Sequence, residues 1–225
     1  MKILIVSATP FEIATLIETL GKPQTLNNHL SSYHTQQHQI DILITGVGMV
    51  FTTFHLSMVL SQQKYDCAIN AGVAGAIDKS LSLGQLVNVT HDFFYELGAE
   101  NGDAWLSLKE LSLLTENDLP YTNNGLLNNK LPNISSIKEL KQVFGQTVNK
   151  VHGNMQSIKI LQSNSEAQIE SMEGAAFLFC CLFYSLPCAQ IRAISNFVEV
   201  RNKDNWKMKE AIINLNDFLK KILIS

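Results

Sequence analysis

The stretch KILIV at residues 2–6, followed by SATP at residues 7–10, predicts a buried β-strand that ends in a turn. Pro10 suits the first turn of a helix, and the apolar residues after it follow helical spacing until Gly21 ends the helix. Further strands are predicted at 40–45, 66–70, 86–90, 148–151 and 189–194, and helices at 50–62, from Met172 onward and at 206–224. Residues 93–135 predict loops with a short helix. This alternation predicts one α/β domain over residues 1–225, a three-layer α/β/α sandwich with a central mixed, mainly parallel sheet.

Composition excludes several classes of protein. Of the 225 residues, 46% are hydrophobic and 16% charged, so the chain can bury a large core and is not a disordered tail protein. The net charge is -3 and there are two arginines, Arg192 and Arg201, which leaves no basic stripe for nucleic acid. The longest apolar stretch, residues 174–184, is too short to span a bilayer, and the first ten residues predict a strand rather than a signal peptide. We expect neither a nucleic-acid partner nor a membrane partner.

The cysteines, histidines and glycines indicate whether the protein binds a metal or a nucleotide cofactor, and the cysteines also indicate the redox state of its compartment. Four cysteines lie in apolar surroundings without a CxxC pair, which favours buried thiols in a reducing cytoplasm over a zinc site. The six histidines show no metal-ligand spacing. Gly46-Val47-Gly48 lacks the third glycine of a dinucleotide-binding loop, and no P-loop motif is present. We expect no metal and no cofactor.

Polar residues at the predicted strand ends are the candidate site residues, because ligands of such folds bind beyond the carboxyl ends of the strands. Glu12 is either a charge that complements a helix N-terminus or a catalytic carboxylate. Glu173 begins an otherwise apolar helix, and is either a similar charge or a ligand for hydroxyl groups. Arg192 could pair with a buried carboxylate. Asn196 could cap a turn, or present a donor and an acceptor to a planar heterocycle.

Five segments in this order resemble the purine nucleosidase and nucleoside phosphorylase superfamily. They are SATPFE at 7–12, TGVG at 45–48, AGVAG at 71–75, SMEGAA at 171–176 and RAISN at 192–196. The resemblance covers nearly the whole chain and is weakest between residues 93 and 150. Within the superfamily, KVHGN at 150–154 and NFVEVRNKDNW at 196–206 resemble the futalosine hydrolases.

This resemblance implies hydrolysis of the N-glycosidic bond between ribose and hypoxanthine in futalosine, an intermediate on a route to menaquinone. It implies two catalytic residues: Glu12, which activates the attacking water, and Asn196, which holds N7 and O6 of the base. Glu173 is expected to bind the ribose hydroxyls and Met172 to pack on the ribose. The other expected substrate contacts are Ala8, Val47, Val73, Ala74, Gly75, Arg192, Ser195 and Trp206. Related enzymes are homodimers, so a homodimer or larger homo-oligomer is expected.

The residues leave other activities open. The adenine-releasing nucleosidases have an aspartate where Asn196 stands, and an amide suits the N7 and O6 acceptors of a 6-oxopurine better than a carboxylate does. Release of adenine from methylthioadenosine, S-adenosylhomocysteine or aminodeoxyfutalosine is the main alternative, and a non-catalytic nucleoside-binding protein is another. A phosphorylase would need an arginine-rich dianion pocket, so water is the favoured nucleophile. The acidic end of futalosine would bind Arg201, His91 or residues 100–115 of a neighbouring subunit, and no aromatic residue is assigned to stack on the base.

Overall fold

The first strand lies near the centre of the sheet and is almost completely buried, as its apolar run predicts. The structure, a computed structural model, describes residues 1–102, 104–115, 118, 120–122 and 125–224. Its elements in chain order are β1 (Lys2–Ser7), a 3₁₀ turn (Pro10–Ile13), α1 (Ala14–Leu20), β2 (Gln24–Thr25), β3 (Leu30–His34), β4 (Gln39–Ile44), α2 (Met49–Gln62), β5 (Cys67–Ala76), β6 (Leu86–Asp92), β7 (Gly98–Asn101), β8 (Ala104–Ser107), β9 (Leu126–Leu127), α3 (Ser135–Lys138), β10 (Lys141–Thr147), α4 (Met155–Asn164), β11 (Ile169–Ser171), α5 (Gly174–Phe183), β12 (Cys188–Phe197), a second 3₁₀ turn (Lys203–Asn205) and α6 (Met208–Ile224).

The main sheet is mixed, and its strand order is β11-β10-β6-β12-β5-β1-β4-β3-β2. The central pairs β4–β1, β1–β5 and β5–β12 are parallel, as are β6–β10 and β10–β11. The pair β12–β6 and the edge pairs with β2, β3 and β9 are antiparallel. Because β11 also pairs antiparallel with β5, the strands β5, β12, β6, β10 and β11 close into a ring at one end of the sheet.

Helices cover both faces of the sheet, as the alternating side chains of β1 illustrate. Ile3 and Ile5 belong to the core beneath α1 and α6, whereas Leu4 and Val6 belong to the core beneath α2 and α5. Successive residues of a strand point to opposite faces, so a fully apolar strand requires a covering layer on each side. The three-layer α/β/α prediction is confirmed.

Three segments differ from the predictions. The strand predicted at 148–151 is wrong, because the strand in this region is β10 and ends at Thr147. Its polar residues Lys141, Gln142 and Gln146 interrupt the apolar pattern by which a strand is predicted. The strand predicted at 66–70 is longer, because β5 continues through residues 71–75 while it pairs with β12. Residues 93–135 contain the β7–β8 hairpin and β9, and α3 begins at the end of this range. Helices α5 and α6 each begin two residues later than predicted.

The core contains all four cysteines, which are buried and unbridged. Burial was the prediction for these thiols, and it is confirmed. In the part of the chain that the structure describes, no helix combines the length and the apolar character needed to cross a membrane. Nor do any three or more described His, Cys, Asp or Glu side chains form a group that could hold a metal ion.

Candidate active site

Residues from the ends of β1, β5, β11 and β12 line a cleft of about 300 Å³. This volume is typical of a small-molecule site. Eleven of the twelve predicted site residues line it: Ala8, Glu12, Val47, Val73, Ala74, Gly75, Met172, Glu173, Ser195, Asn196 and Trp206. The structure therefore brings together residues that are up to 198 positions apart in the sequence, counting from Ala8 to Trp206.

Glu12 lies in the 3₁₀ turn after β1, and its carboxylate is held from two directions. The backbone N–H and the hydroxyl of Thr9 each donate to Glu12 Oε2 at 3.1 Å. The backbone N–H of Val73 donates to Glu12 Oε1 at 3.1 Å. Although the residue is only 8% exposed, it borders the cleft. The carboxylate is thus a fixed acceptor that can take a hydrogen bond, and then a proton, from a water molecule in the cleft.

Glu173 is the residue before α5 and is buried, with one edge on the cleft. The backbone N–H of Gly48 donates to Glu173 Oε1 at 3.0 Å, and Arg192 Nη1 lies 3.9 Å from Oε2. Gly48 has a φ of 101°, a conformation that favours glycine. Burial raises the pKa of the Glu173 carboxyl, while the charge of Arg192 and the Gly48 N–H oppose that shift. The remaining lone pairs of Glu173 can accept hydrogen bonds from hydroxyl groups of a ligand.

Arg192, predicted to contact the substrate, does not line the cleft. Its side chain is 1% exposed and donates from Nη2 to Asn70 Oδ1. The register pairs Arg192 with Gly72, and a Cβ atom at position 72 would collide with Arg192 Nη1 and lie 2.8 Å from Glu12 Oε1. The guanidinium is therefore behind the cleft wall, between the carboxylates of Glu12 and Glu173. The correction follows from the continuation of β5 through Gly72, which the sequence pattern did not predict.

Asn196 lies beside a β-bulge in β12, because the register against β5 shifts between Ile194 and Asn196 and leaves Ser195 as an extra residue. The Ser195 hydroxyl donates to Asn196 Oδ1 at 2.8 Å. Asn196 Nδ2 donates to the carbonyl oxygen of Phe197 at 2.9 Å. An amide nitrogen has two N–H groups, so one remains for a ligand. The bonds to Ser195 and Phe197 fix which way the amide faces.

Sequence reasoning missed a pair in the same cleft, the buried Glu170 and the partly buried His152. His152 Nδ1 lies 2.7 Å from Glu170 Oε2, and the backbone N–H of His152 donates to Glu170 Oε1 at 2.9 Å. The only acidic residue of β11 is Glu170, and His152 lies in the KVHGN segment that carries part of the resemblance. These two features could have identified Glu170 and His152 as candidates. Their contact could not be predicted, because the two residues are 18 positions apart and only the tertiary fold brings them together.

Two candidates for an acidic ligand group are separated by the structure. Arg201 lines the cleft, and its guanidinium lies 5.1 Å from the centre of the Trp206 ring. His91 lies instead in a second cavity of about 510 Å³, and its ring stacks on Phe144 at 4.2 Å. The described residues that line this cavity are all different from those that line the cleft. Arg201 is therefore the one of the two that can reach a ligand in the cleft.

The fold and the sequence both have known relatives, although no protein-family model matches the chain. The chain is 31% identical to the futalosine hydrolase of Thermus thermophilus over 182 residues, which cover 80% of each protein. It is 26% identical to the 5'-methylthioadenosine/S-adenosylhomocysteine nucleosidase of Maridesulfovibrio salexigens over 88% of this chain and 87% of that protein. A mutant of the Helicobacter pylori enzyme of that name, with 5'-methylthioadenosine in its active site, superimposes with a TM-score of 0.77. That comparison has 21% identity and covers 99% and 97% of the two chains.

The fold, the acidic cleft and these relatives define the class of the protein as an N-glycosidase with nucleosidase activity. The chain belongs to the family that comprises the futalosine hydrolases and the methylthioadenosine/S-adenosylhomocysteine nucleosidases.

Proposed function

We propose that the protein hydrolyses the N-glycosidic bond of futalosine and releases hypoxanthine and dehypoxanthine futalosine in menaquinone biosynthesis. The observation that carries the proposal is Asn196, an amide with one N–H left for a ligand, in a cleft that also contains Glu12. Hypoxanthine presents acceptors at N7 and O6, so a donor at this position matches it. The relative at 31% identity bears the same activity in its name.

The proposed mechanism uses water as the nucleophile. Glu12 takes a proton from the water as its oxygen bonds to C1' of the ribose. The C1'–N9 bond breaks through an oxocarbenium-like ribosyl centre, and its electron pair leaves with the base. Glu173 accepts hydrogen bonds from the ribose hydroxyls, and Met172 packs on the sugar. Asn196 donates to the departing hypoxanthine anion, which then takes a proton from solvent.

The charges around the cleft favour water over phosphate. Three of its described lining residues, Glu12, Glu170 and Glu173, are buried carboxylic acids. Arg201 is the only lysine or arginine among the described residues that line the cleft, and Arg192 lies behind the wall. A phosphate dianion next to Glu12 and Glu173 would be repelled, and the arginine fork that normally compensates it is missing from this lining.

Arg201 supports a substrate with an acidic end. Its guanidinium borders the cleft, rests on the Trp206 ring and forms no ion pair with any described residue. A carboxylate on an extended substituent of the ribose would match that charge, and futalosine carries a benzoate there. Methylthioadenosine has no such group.

An adenine-releasing nucleosidase is the second candidate, because the relative from Maridesulfovibrio salexigens is named a methylthioadenosine/S-adenosylhomocysteine nucleosidase. The Asn196 amide favours the 6-oxopurine over adenine. A non-catalytic nucleoside-binding protein would have no need for the carboxylate of Glu12 held at the cleft.

The four buried, unbridged thiols support a reducing compartment, which we propose is the cytoplasm.

We also propose that the protein is a homodimer that forms through α2. Three apolar residues four positions apart, Val50, Phe54 and Met58, are exposed along one face of this helix, and Phe51 lies beside them. Exposed apolar faces of this kind mark protein interfaces. Val47, at the start of the same segment, is exposed and borders the cleft, so a partner on this face would contact the mouth of the site.

Removal of the proposed base should abolish turnover but not binding. Glu12→Gln is expected to lower kcat on futalosine by about 1,000-fold, because the amide cannot take the proton from water. Isothermal titration should give a dissociation constant close to that of the wild type. Glu173→Ala should impair both quantities, and Glu18→Gln on the exposed side of α1 is the matched control. A Glu12→Gln enzyme with wild-type kcat would contradict the assigned role.

Exchange of the amide should change the preferred base. Asn196→Asp is expected to shift the ratio of kcat/KM from hypoxanthine nucleosides toward adenine nucleosides, because a carboxylate accepts from the 6-amino group and repels O6. The ratio is measured by chromatography of the released bases. Asn202→Asp, which keeps the oxygen that accepts from the Asp204 N–H, is the control outside the cleft. If the Asn196→Asp enzyme keeps its full preference for hypoxanthine, the recognition argument is wrong.

Loss of the Arg201 charge should affect only acidic substrates. Arg201→Met is expected to raise KM for futalosine by about 10- to 100-fold, the cost of one charged hydrogen bond. The KM for inosine, which lacks the benzoate, should stay unchanged. Lys203→Met removes a neighbouring exposed charge and serves as the control. Equal effects of Arg201→Met on both nucleosides would rule out a pairing with the benzoate.

Charge on the α2 face should separate the subunits. Light scattering at micromolar concentration is expected to give a dimer for the wild type and a monomer for Phe54→Lys, because a lysine cannot be buried unpaired in an apolar interface. Ile213→Lys, on an exposed position of α6 in the opposite helical layer, should remain dimeric. A monomeric wild type would exclude the dimer.

A further inference from the structure

The pair formed by Glu170 and His152 has no role in the mechanism above, although both residues line the cleft. Glu170 is 3% exposed, and its carboxylate holds His152 at two points, the backbone N–H and the ring atom Nδ1. Tyr95 packs edge-on against the ring with the centroids 5.4 Å apart. The imidazole is therefore fixed in position and orientation at the wall of the cleft.

The contacts determine which atoms of the ring carry hydrogen. Because a carboxylate only accepts, Nδ1 must donate to Glu170. The N–O distance of 2.7 Å lies in the range of charge-assisted hydrogen bonds. A buried carboxylate requires a compensating charge, and no described lysine or arginine pairs with Glu170. With hydrogen on both ring nitrogens, His152 would supply that charge, and Nε2 would then be a donor as well.

The second ring nitrogen is available to a ligand. His152 Nε2 makes no hydrogen bond within the described part of the chain and is not one of the buried unpartnered atoms found there. Since His152 lines the cleft and its side chain is 9% exposed, we take this nitrogen as the polar group that His152 offers to the cleft.

The pair lies next to Asn196. Gly75 pairs with Asn196 of β12 on one side and with Glu170 of β11 on the other. A Cβ atom at position 75 would lie 3.3 Å from Asn196 Nδ2 and 3.7 Å from Glu170 Cγ, so both side chains flank Gly75 on the same face. A base that receives a hydrogen bond from Asn196 is therefore bordered by the Glu170–His152 pair.

We propose that His152, positioned by Glu170, donates a hydrogen bond from Nε2 to the oxygen at C6 of the purine. The inference rests on the proposed function and extends it. Asn196 has a single N–H for the ligand, whereas a 6-oxopurine has two adjacent acceptors, N7 and O6. With a second donor beside Asn196, both acceptors of the 6-oxopurine are hydrogen-bonded. The same donor would face the N–H groups of a 6-amino group, which cannot accept a hydrogen bond from it. His152 is then a second specificity-determining residue, and Glu170 is its positioning residue.

The test compares futalosine with an analogue that carries hydrogen in place of the 6-oxygen. His152→Phe should lower kcat/KM for futalosine by about 100-fold, the upper range for loss of a charged hydrogen bond. The same variant should leave kcat/KM for the analogue nearly unchanged, because that substrate has no oxygen to bind. Glu170→Gln retains an acceptor for Nδ1–H but no charge, so an intermediate loss, confined to futalosine, is expected.

His34→Phe is the matched control, because it makes the same exchange at an exposed residue of β3 that does not line the cleft. Its kinetics should equal those of the wild type on both substrates. Equal losses on futalosine and the analogue in His152→Phe, or no loss on either, would overturn the inference while leaving the proposed function intact. A wild-type enzyme that cleaves neither substrate would overturn the proposed function and this inference with it.

Discussion

The site depends on one buried guanidinium. Glu12 and Glu173 both border the cleft, and burial, together with the charge of Glu12, raises the pKa of the Glu173 carboxyl. Arg192, 1% exposed, lies between them behind the wall, bonded to Asn70. Its charge opposes the rise in the pKa of Glu173, and its side chain takes up no part of the cleft lining. Two buried carboxylic acids can therefore share the wall of a cleft of about 300 Å³ in a stable fold.

Strand register places this charge. Arg192 pairs with Gly72, and only a residue without a side chain leaves room there for the guanidinium and Glu12 Oε1. Three residues further on, Gly75 leaves room between Asn196 and Glu170. The glycines of β5 therefore divide the wall into two parts, one beside Glu12 and Arg192 and the other beside Asn196 and Glu170.

Much of the fold and site could be predicted from sequence because local patterns carry them. Apolar runs mark the central strands, and ligands bind beyond strand ends, so the sequence can predict that Glu12, Glu173 and Asn196 share one cleft. The pairing of Arg192 with a buried carboxylate is confirmed, but its predicted contact with the substrate is wrong, because its position depends on how far β5 extends in its pairing with β12. Likewise, β10 was misplaced because a strand in a closed ring tolerates polar residues. The Glu170–His152 contact exists only in three dimensions.

The most direct measurement of the central claim is base release, resolved by chromatography, with and without phosphate. Futalosine, aminodeoxyfutalosine, inosine and methylthioadenosine are offered in parallel to the wild-type enzyme. We predict release of hypoxanthine from futalosine at a rate that phosphate does not change. The reason is that carboxylic acids line the cleft, and its described lining has no pair of arginines to bind phosphate. Adenine as the main product would contradict the role of Asn196, and a strict requirement for phosphate would contradict hydrolysis.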